Sequence, residues 1–445
     1  MHLIWENLIK NLILLWTGEF KGLDEGEGEY ELAKGIWEAI ASRTSAAADT
    51  IPSAYGSRVP NIAKDRPNVS AEMWSFWTLY LGPVLLRRRF RSAKYYHHFI
   101  QLVRLLNICL QFEITDQEIE TVRAGFIAWV KRYEELYFQY DVERLSVCPL
   151  TIHALLHIAP GIEFSGPVWC YWAFPMERYC GSIQPGIRSR RFPWASMDRH
   201  VLETAQLTQI KTVYNVSEEL SLTEPRGPIR GSFADPMYPS CILLPPKSPI
   251  QPNAAQIKTI AAALSTRTEA SMQAVNNALR TAHIEEWGKV HRIDTDEGDT
   301  MRSCSLGTTA EDSRDATYVR YEMLVDKQAR FKRRAPELEL QTFYGQLTHI
   351  YRVHFPTACK PLELDEPTTY ILAAVRACVL DPEDAQLQGL DIHFYSRHGH
   401  LDVVDITSLQ ALVGRVQIRE TTQDWAVIDR SGVLARAEWL GEDEV

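Results

Sequence analysis

The sequence has no CxxC pair, no HExxH motif, no internal repeat and no long apolar run. Its eight cysteines, at positions 109, 148, 170, 180, 241, 304, 359 and 378, are too widely spaced for a secreted disulfide framework. That points to a reducing compartment and away from secretion. No stretch approaches the ~18 apolar residues of a membrane span, so no membrane partner is expected. The N-terminal MHLIWENLIKNLILLW does not read as a signal peptide either. Its longest apolar run is Leu12 to Trp16, Glu6, Asn7, Lys10 and Asn11 interrupt it, and no basic segment precedes it. Positive charge is in deficit, with 47 Lys and Arg against 57 Asp and Glu and a net charge of −10. This argues against a protein that coats nucleic acid over its whole surface, but leaves room for a local basic face.

What is present is an ordinary apolar content over 445 residues, enough for roughly two to four domains. Ile4, Leu8, Leu12 and Leu15 recur at helical spacing and predict a buried face, so the chain reads as if it begins in the middle of a fold. A loop rich in Gly and acid (GLDEGEGE), a short helix around Tyr30 to Arg43 and an irregular connector over 44–69 follow. Residues 70–140 predict a helical block. Ser70 is placed to cap NVSAEMWSFWTLYL, and Thr115 with Glu118 forms a capping box. Beyond it Ile119, Val122, Phe126, Val130 and Tyr133 share one helix face.

Residues 145–222 read as mostly helical. Eight prolines between Pro225 and Pro252 predict a linker wrapping the surface, because proline suits neither helix interiors nor central strands. Two helices, over 254–265 and 268–286, and a polar segment over 293–315 come next. Beyond about residue 314 the pattern turns to strands. Leu347, Tyr351, Val353 and Phe355 form an apolar stripe with His349 as its exception, and DWAVIDRSGVLARAEWL reads as a hairpin turning at Arg430-Ser431-Gly432. The expected fold class is α+β: a mostly helical part over 1–225, a linker region over 226–313 and a small β-barrel or sandwich over 314–445.

The chemistry-bearing stretch is TIHALLHIAPGIEFSGPVWCYWAFPMERY, residues 151–179. On a helix, positions i and i+4 share a face, so His153 and His157 can present two imidazoles to one ion. Set among Ile152, Leu155, Leu156 and Ile158, they fit a pair of core histidines too. Three metal arrangements compete. Glu177 can complete a mononuclear zinc site as in thermolysin-like peptidases, but the general base those enzymes need after the first histidine is here Ala154. Cys148, Cys170 or Cys180 can join the pair in a local structural site, at a spacing unlike common zinc fingers. Or the pair is half of a zinc site, and Glu177 belongs to a different centre.

The third arrangement coincides with a family pattern. His153 and His157, Gly166-Pro167-Val168, Trp172, Phe174-Pro175-Met176-Glu177-Arg178-Tyr179 and Arg188-Ser189-Arg190 stand at fixed offsets over about forty residues. This segment resembles the end of the catalytic core of CACTA-type (En/Spm) DNA transposases. Met1-His2-Leu3-Ile4 with Glu6-Asn7-Leu8 resembles a second motif of that family, one that follows the sheet-bearing half of a ribonuclease H-like core. The resemblance runs to about residue 225. The proline-rich and β-rich remainder is similar to the C-terminal extension of fungal members.

The resemblance implies two-metal phosphoryl transfer on DNA, with three carboxylates holding two Mg²⁺ ions. Glu177 matches the third carboxylate, His2 a histidine near the active site, and His153 with His157 the pair that an upstream CxxC completes around Zn²⁺. The first two aspartates and the CxxC precede the Met-His motif in the family and are not in this chain. The expectation is therefore a transposase-derived chain, inactive alone, with residual binding to duplex DNA and a complementing transposase chain or a second copy as partner. The alternatives are a non-catalytic interaction protein, or a zinc metallohydrolase using His153, His157 and Glu177.

Basic residues cluster at three places. LLRRRFRSAKYYHHF sets Arg87, Arg88, Arg89, Arg91 and Lys94 beside Tyr95 and Tyr96, and IRSRRF adds Arg188, Arg190 and Arg191; both are candidate phosphate contacts, with a solvated helix face as the plain alternative for the first. KQARFKRRAP (327–336) is a candidate nuclear localisation patch. In RHGHLDVVD (397–405), His398, His400 and Asp402 offer metal ligands, but turn residues of a hairpin are the preferred reading.

Overall fold

In the computed structural model the described residues are all except 1, 24–27, 218, 222–230, 247–250, 294–298, 306–313, 329–336, 431–433 and 435–445. A π-helical segment, His2–Leu8, runs into α1 (Ile9–Trp16). Ile4, Leu8, Leu12 and Leu15 are all buried, as their spacing requires. Around them pack α2 (Lys34–Ala47), α3 (Ala71–Phe76), α4 (Gly82–Leu85), α5 (Ala93–Cys109) and α6 (Asp116–Tyr133). Ser70 caps α3 by accepting from Met73 N at 3.3 Å, and the Thr115–Glu118 box closes in both directions at the start of α6. All five predicted face residues of α6 are buried, and Trp129 with them. α5 and α6 approach so closely that a Cβ on Gly125 would collide with Leu105.

This core is aromatic, and several of its polar edges are satisfied internally, although the buried indole N–H groups of Trp37 and Trp74 find no acceptor among the described residues. The Trp16 indole donates to the Tyr137 hydroxyl at 3.1 Å and that of Trp77 to Thr44 at 3.1 Å. His98 stacks on Trp129 with ring centroids 4.3 Å apart, and the Trp129 indole donates to the His98 carbonyl at 2.9 Å. Such pairs contribute about 0.5–1.5 kcal/mol each beyond burial. Four more helices follow: α7 (Leu150–Ala154), α8 (Ile158–Ser165), α9 (Phe174–Ile183) and α10 (Pro193–Tyr214). Among the described residues no strand precedes Phe233, and no helix is long and apolar enough to cross a membrane.

The proline-rich region is not only a linker. β1 (Phe233–Ala234) and β2 (Cys241–Leu244) lie within it, and β2 is an interior strand. The prolines flank the run CILL without interrupting it, so each ladder donor of β2 is kept. After α11 (Ala254–Thr268) and α12 (Met272–Leu279) come β3 (His283–Trp287), β4 (Lys289–Arg292) and β5 (Thr300–Arg302). The expected helix over 268–286 thus ends early, because His283–Trp287 pairs with a strand instead. β6 (Tyr318–Asp326), β7 (Leu338–Phe355), β8 (Thr368–Leu380), β9 (Ile392–Asp405), β10 (Leu409–Leu412), β11 (Gly414–Gln417) and β12 (Trp425–Ile428) complete the chain.

Two antiparallel sheets result. The small one runs β1-β2-β4-β5; the large one runs β10-β6-β7-β8-β9-β12-β11, with β3 also on β7. Its two end strands are consecutive, joined only by Val413, whose N–H bonds the Tyr318 carbonyl at 3.0 Å. The stretch 409–417 therefore pairs with both edges and curls the sheet into a nearly closed barrel, which leaves little edge open.

A bulge between Leu347 and His349 of β7 inserts one residue and reverses the side-chain phase. Leu347 consequently packs with Ile350 against the small sheet, while Tyr351, Val353 and Phe355 face α11 and α12. The single stripe read from the sequence is two faces. A second expectation is corrected in β9: His398, His400 and Asp402 lie within that strand, not at a turn.

Of the expected hairpin turn at Arg430-Ser431-Gly432, residues 431 and 432 lie outside the described residues. Within them β12 pairs with β9 and β11, and Leu434 bridges to Gln111 of the helical part. Helices and barrel share one core, since Ile392, Phe394, Val416, Ala426 and Ile428 join the cluster built on α1–α8. The 44–69 connector seals the junction. The Tyr55 hydroxyl lies 3.1 Å from the Leu412 carbonyl and 3.0 Å from that of Ile428, and accepts from Arg430 N at 3.1 Å.

Candidate functional site

α9 begins with Phe174 buried in the core and Pro175 in the first turn, where a missing N–H removes no helical bond. Trp172 meets Phe174 edge-on at 5.1 Å, fixing the turn before the helix. One residue past Met176, Glu177 projects from the N-terminal turn, the helix end that favours a carboxylate. Gly166 holds a left-handed φ of 81° where α8 stops, which gives the glycine of Gly166-Pro167-Val168 a conformational reason.

Glu177 meets the far end of the chain. Its Oε1 lies 2.9 Å from Nε2 of His2, whose Nδ1 lies 2.7 Å from Oε2 of Glu6. The imidazole is thus held between two carboxylates. Both His2 and Glu177 are half-exposed, so solvent screens the pair and its weight in stability is small. Its meaning is positional: two separate motifs converge on one surface. Glu6 belongs to the same motif as His2 but is not among the expected site residues, although its i,i+4 relation to His2 is a usable signal.

His153 and His157 are exposed, not core residues. The helix tightens to a 3₁₀ turn over Leu155–His157, and the two Nε2 atoms stand 3.1 Å apart. At that distance the two nitrogens cannot both carry a proton pointing at the other, so at least one presents a lone pair. This is a fitting half of a zinc centre. Among the described residues, however, no group of three or more His, Cys, Asp or Glu side chains comes together to hold a metal ion. Cys148, Cys170 and Cys180 do not complete the pair, and Glu177 is engaged with His2 instead. Nor does the donor set fit two Mg²⁺ ions, which need more than one convergent carboxylate.

The first basic cluster is largely committed within the molecule. Arg87 pairs with Asp384 at 2.5 Å and stacks on Phe394 at 4.6 Å, Arg89 donates to the Ile418 carbonyl at 3.4 Å, and Lys94 pairs with Glu29 at 2.7 Å. Burial would raise the Asp384 pKa, but the Gln386 N–H and Arg87 outweigh it and hold the carboxyl below its ordinary value. Arg88 and Arg91 remain exposed. Arg188, Arg190 and Arg191 are all exposed, between α9 and α10, on the stretch that follows Glu177. Of the candidate nuclear patch, residues 329–336 lie outside the described residues. His398 bonds the Tyr318 hydroxyl at 2.8 Å and His400 pairs with Asp402 at 3.0 Å, so these two histidines serve different partners.

Compared with family models, with curated proteins and with solved structures, the chain matches none.

Proposed function

We propose that the chain derives from a CACTA-type cut-and-paste DNA transposase, contributing the C-terminal part of a ribonuclease H-like core and its extension. One observation carries this reading: His2 and Glu177, taken from two motifs at opposite ends of the matching region, lie in direct contact. A chance likeness in either motif would give no reason for that meeting. In such a centre two Mg²⁺ ions would activate the attacking oxygen and stabilise the leaving one. Glu177 is the carboxylate this chain offers, and His2 orients it. Because the other carboxylates are not among its residues, the chain by itself binds duplex DNA without cutting it. Arg188, Arg190 and Arg191, exposed and adjacent to α9, are the phosphate contacts.

Binding to duplex DNA that weakens steeply with salt tests the proposal. Undetectable binding at low ionic strength would overturn it. A second reading, an interaction protein, is favoured by α10. That 22-residue helix has no buried residue and exposes Trp194, Leu202, Ile210, Val213 and Tyr214. Retained partner capture with no DNA binding would support it.

A further inference from the structure

The helical part and the barrel meet around a cavity of about 340 Å³, whose lining does not include Glu177. Its walls come from four places: the 87–89 turn after α4, Asp381 just after β8, the start of β9 with Phe394 and Tyr395, and the stretch from the β11–β12 loop into β12 with Arg419 and Trp425. Four guanidinium groups reach it, from Arg87, Arg88, Arg89 and Arg419, against the carboxylates of Asp381 and Asp424. Arg87 is neutralised by Asp384 outside the cavity lining. Among the described residues neither Arg88 nor Arg419 makes a side-chain hydrogen bond or ion pair. Arg88 also sits at a left-handed φ of 57°, unusual for a residue with a Cβ.

The electrostatics are one-sided at Arg89. Burial first, and then the like charge of Arg419, hold its guanidinium below its ordinary pKa. Four guanidiniums outnumber the carboxylates of Asp381, Asp424 and Asp384 around them, and Arg88 as well as Arg87 acts on Asp384. The remaining excess of cation favours an anion, and guanidinium forks match phosphate oxygens. Beside them the partly exposed Trp425, with the Arg415 guanidinium 4.5 Å from its ring centre, supplies aromatic surface of the kind on which bases stack, while Tyr395 is buried beneath it. The volume lies at the small end of ligand pockets, about 300–1,000 Å³.

We propose that this junction cavity binds a single nucleotide unit, with Arg88, Arg89 and Arg419 on its phosphate and Trp425 against its base. The proposal takes Arg88 and Arg89 from the first basic cluster but does not rest on the transposase reading, because it uses neither the Glu177 surface nor the arginines at 188–191. The nucleotide comes either free or as one unit of a single strand, and both present the same chemistry.

Titration calorimetry on the whole chain separates the possibilities, with deoxyadenosine monophosphate, inorganic phosphate and a six-residue single-stranded oligodeoxynucleotide as probes. The mononucleotide is expected to bind, and inorganic phosphate to bind at least about tenfold more weakly because it cannot stack. Arg419→Ala, at an exposed position, is expected to weaken mononucleotide binding about tenfold or more with an unchanged thermal midpoint, and Trp425→Phe to weaken it less. Arg199→Ala on α10 serves as the control and leaves it unchanged. An oligonucleotide bound more tightly than the mononucleotide identifies a strand as the source; equal affinity identifies the free nucleotide. No mononucleotide binding, or binding that Arg419→Ala does not alter, would overturn the proposal.

Discussion

His2 Nε2 lies 2.9 Å from Glu177 Oε1, a contact between the first helical turn of the chain and the first turn of α9. The second imidazole nitrogen is taken by Glu6. A carboxylate so occupied is oriented, yet it stands without the two further convergent carboxylates that a pair of Mg²⁺ ions needs. The chain alone is therefore expected to leave supercoiled plasmid intact in Mg²⁺ or Mn²⁺, read on a gel as no conversion to nicked circles. Nicking above background that Glu177→Gln abolishes would show that the residues present suffice.

The two basic clusters predict opposite outcomes. Replacing Arg188, Arg190 and Arg191 by Ala should lower the slope of log K against log salt by as much as about 2.7, if each contacts one phosphate. Arg87→Ala should leave the slope alone. It strips a partly buried Asp384 of its partner and is expected to cost about 1–3 kcal/mol in urea unfolding. A flattened salt slope in Arg87→Ala would return that arginine to the DNA surface.

These outcomes mark what could be read from residues alone. Local signals were legible: the Thr115–Glu118 box, the Ser70 cap and the α6 face depend on neighbours within a few residues. The resemblance set His2 and Glu177 at one expected centre, but no period or spacing in the residues foretold their contact at 2.9 Å. Long-range features were hidden. The bulge at Leu347/His349 leaves no mark in composition, yet it sends Leu347 and Tyr351 to opposite faces. His349, the exception in the apolar stripe, pairs with Glu286 at 2.7 Å, and Glu286 sits on another strand. Likewise, nothing in RRRFR tells which arginine will find Asp384 so far along the chain.

The segment between α2 and α3, which packs on the barrel through Tyr55, predicts shared unfolding. Tyr55→Phe removes the hydroxyl that reaches the carbonyls of Leu412 and Ile428 and accepts from Arg430 N, leaving buried polar groups without it. The expected cost is about 1–3 kcal/mol. Because core residues of both parts lie in one cluster, tryptophan fluorescence and far-ultraviolet circular dichroism should shift to lower urea together. A separate early transition of the barrel would contradict the shared core.

His98 predicts how stability responds to acid. It is 4 % exposed, stacked on Trp129, and its Nε2–H donates to the Trp129 carbonyl at 3.1 Å. Burial is the main cause that drives its imidazole down to about 3; the Trp129 carbonyl opposes the shift and Arg132 adds to it. An unfolded histidine titrates near 6.5. Between these values the unfolded state holds a proton that the native state does not. Stability from this residue is therefore complete above about pH 6.5 and falls as the pH drops toward 3. The loss by pH 5 is about 2 kcal/mol, from one proton over that interval. His98→Gln keeps an N–H able to face the Trp129 carbonyl and cannot titrate in this range. The variant should be less stable at pH 7 yet lose less on acidification. Urea unfolding of both proteins at pH 7, 6 and 5 measures the difference, and parallel pH profiles would mean that His98 takes its proton without unfolding the helices around it.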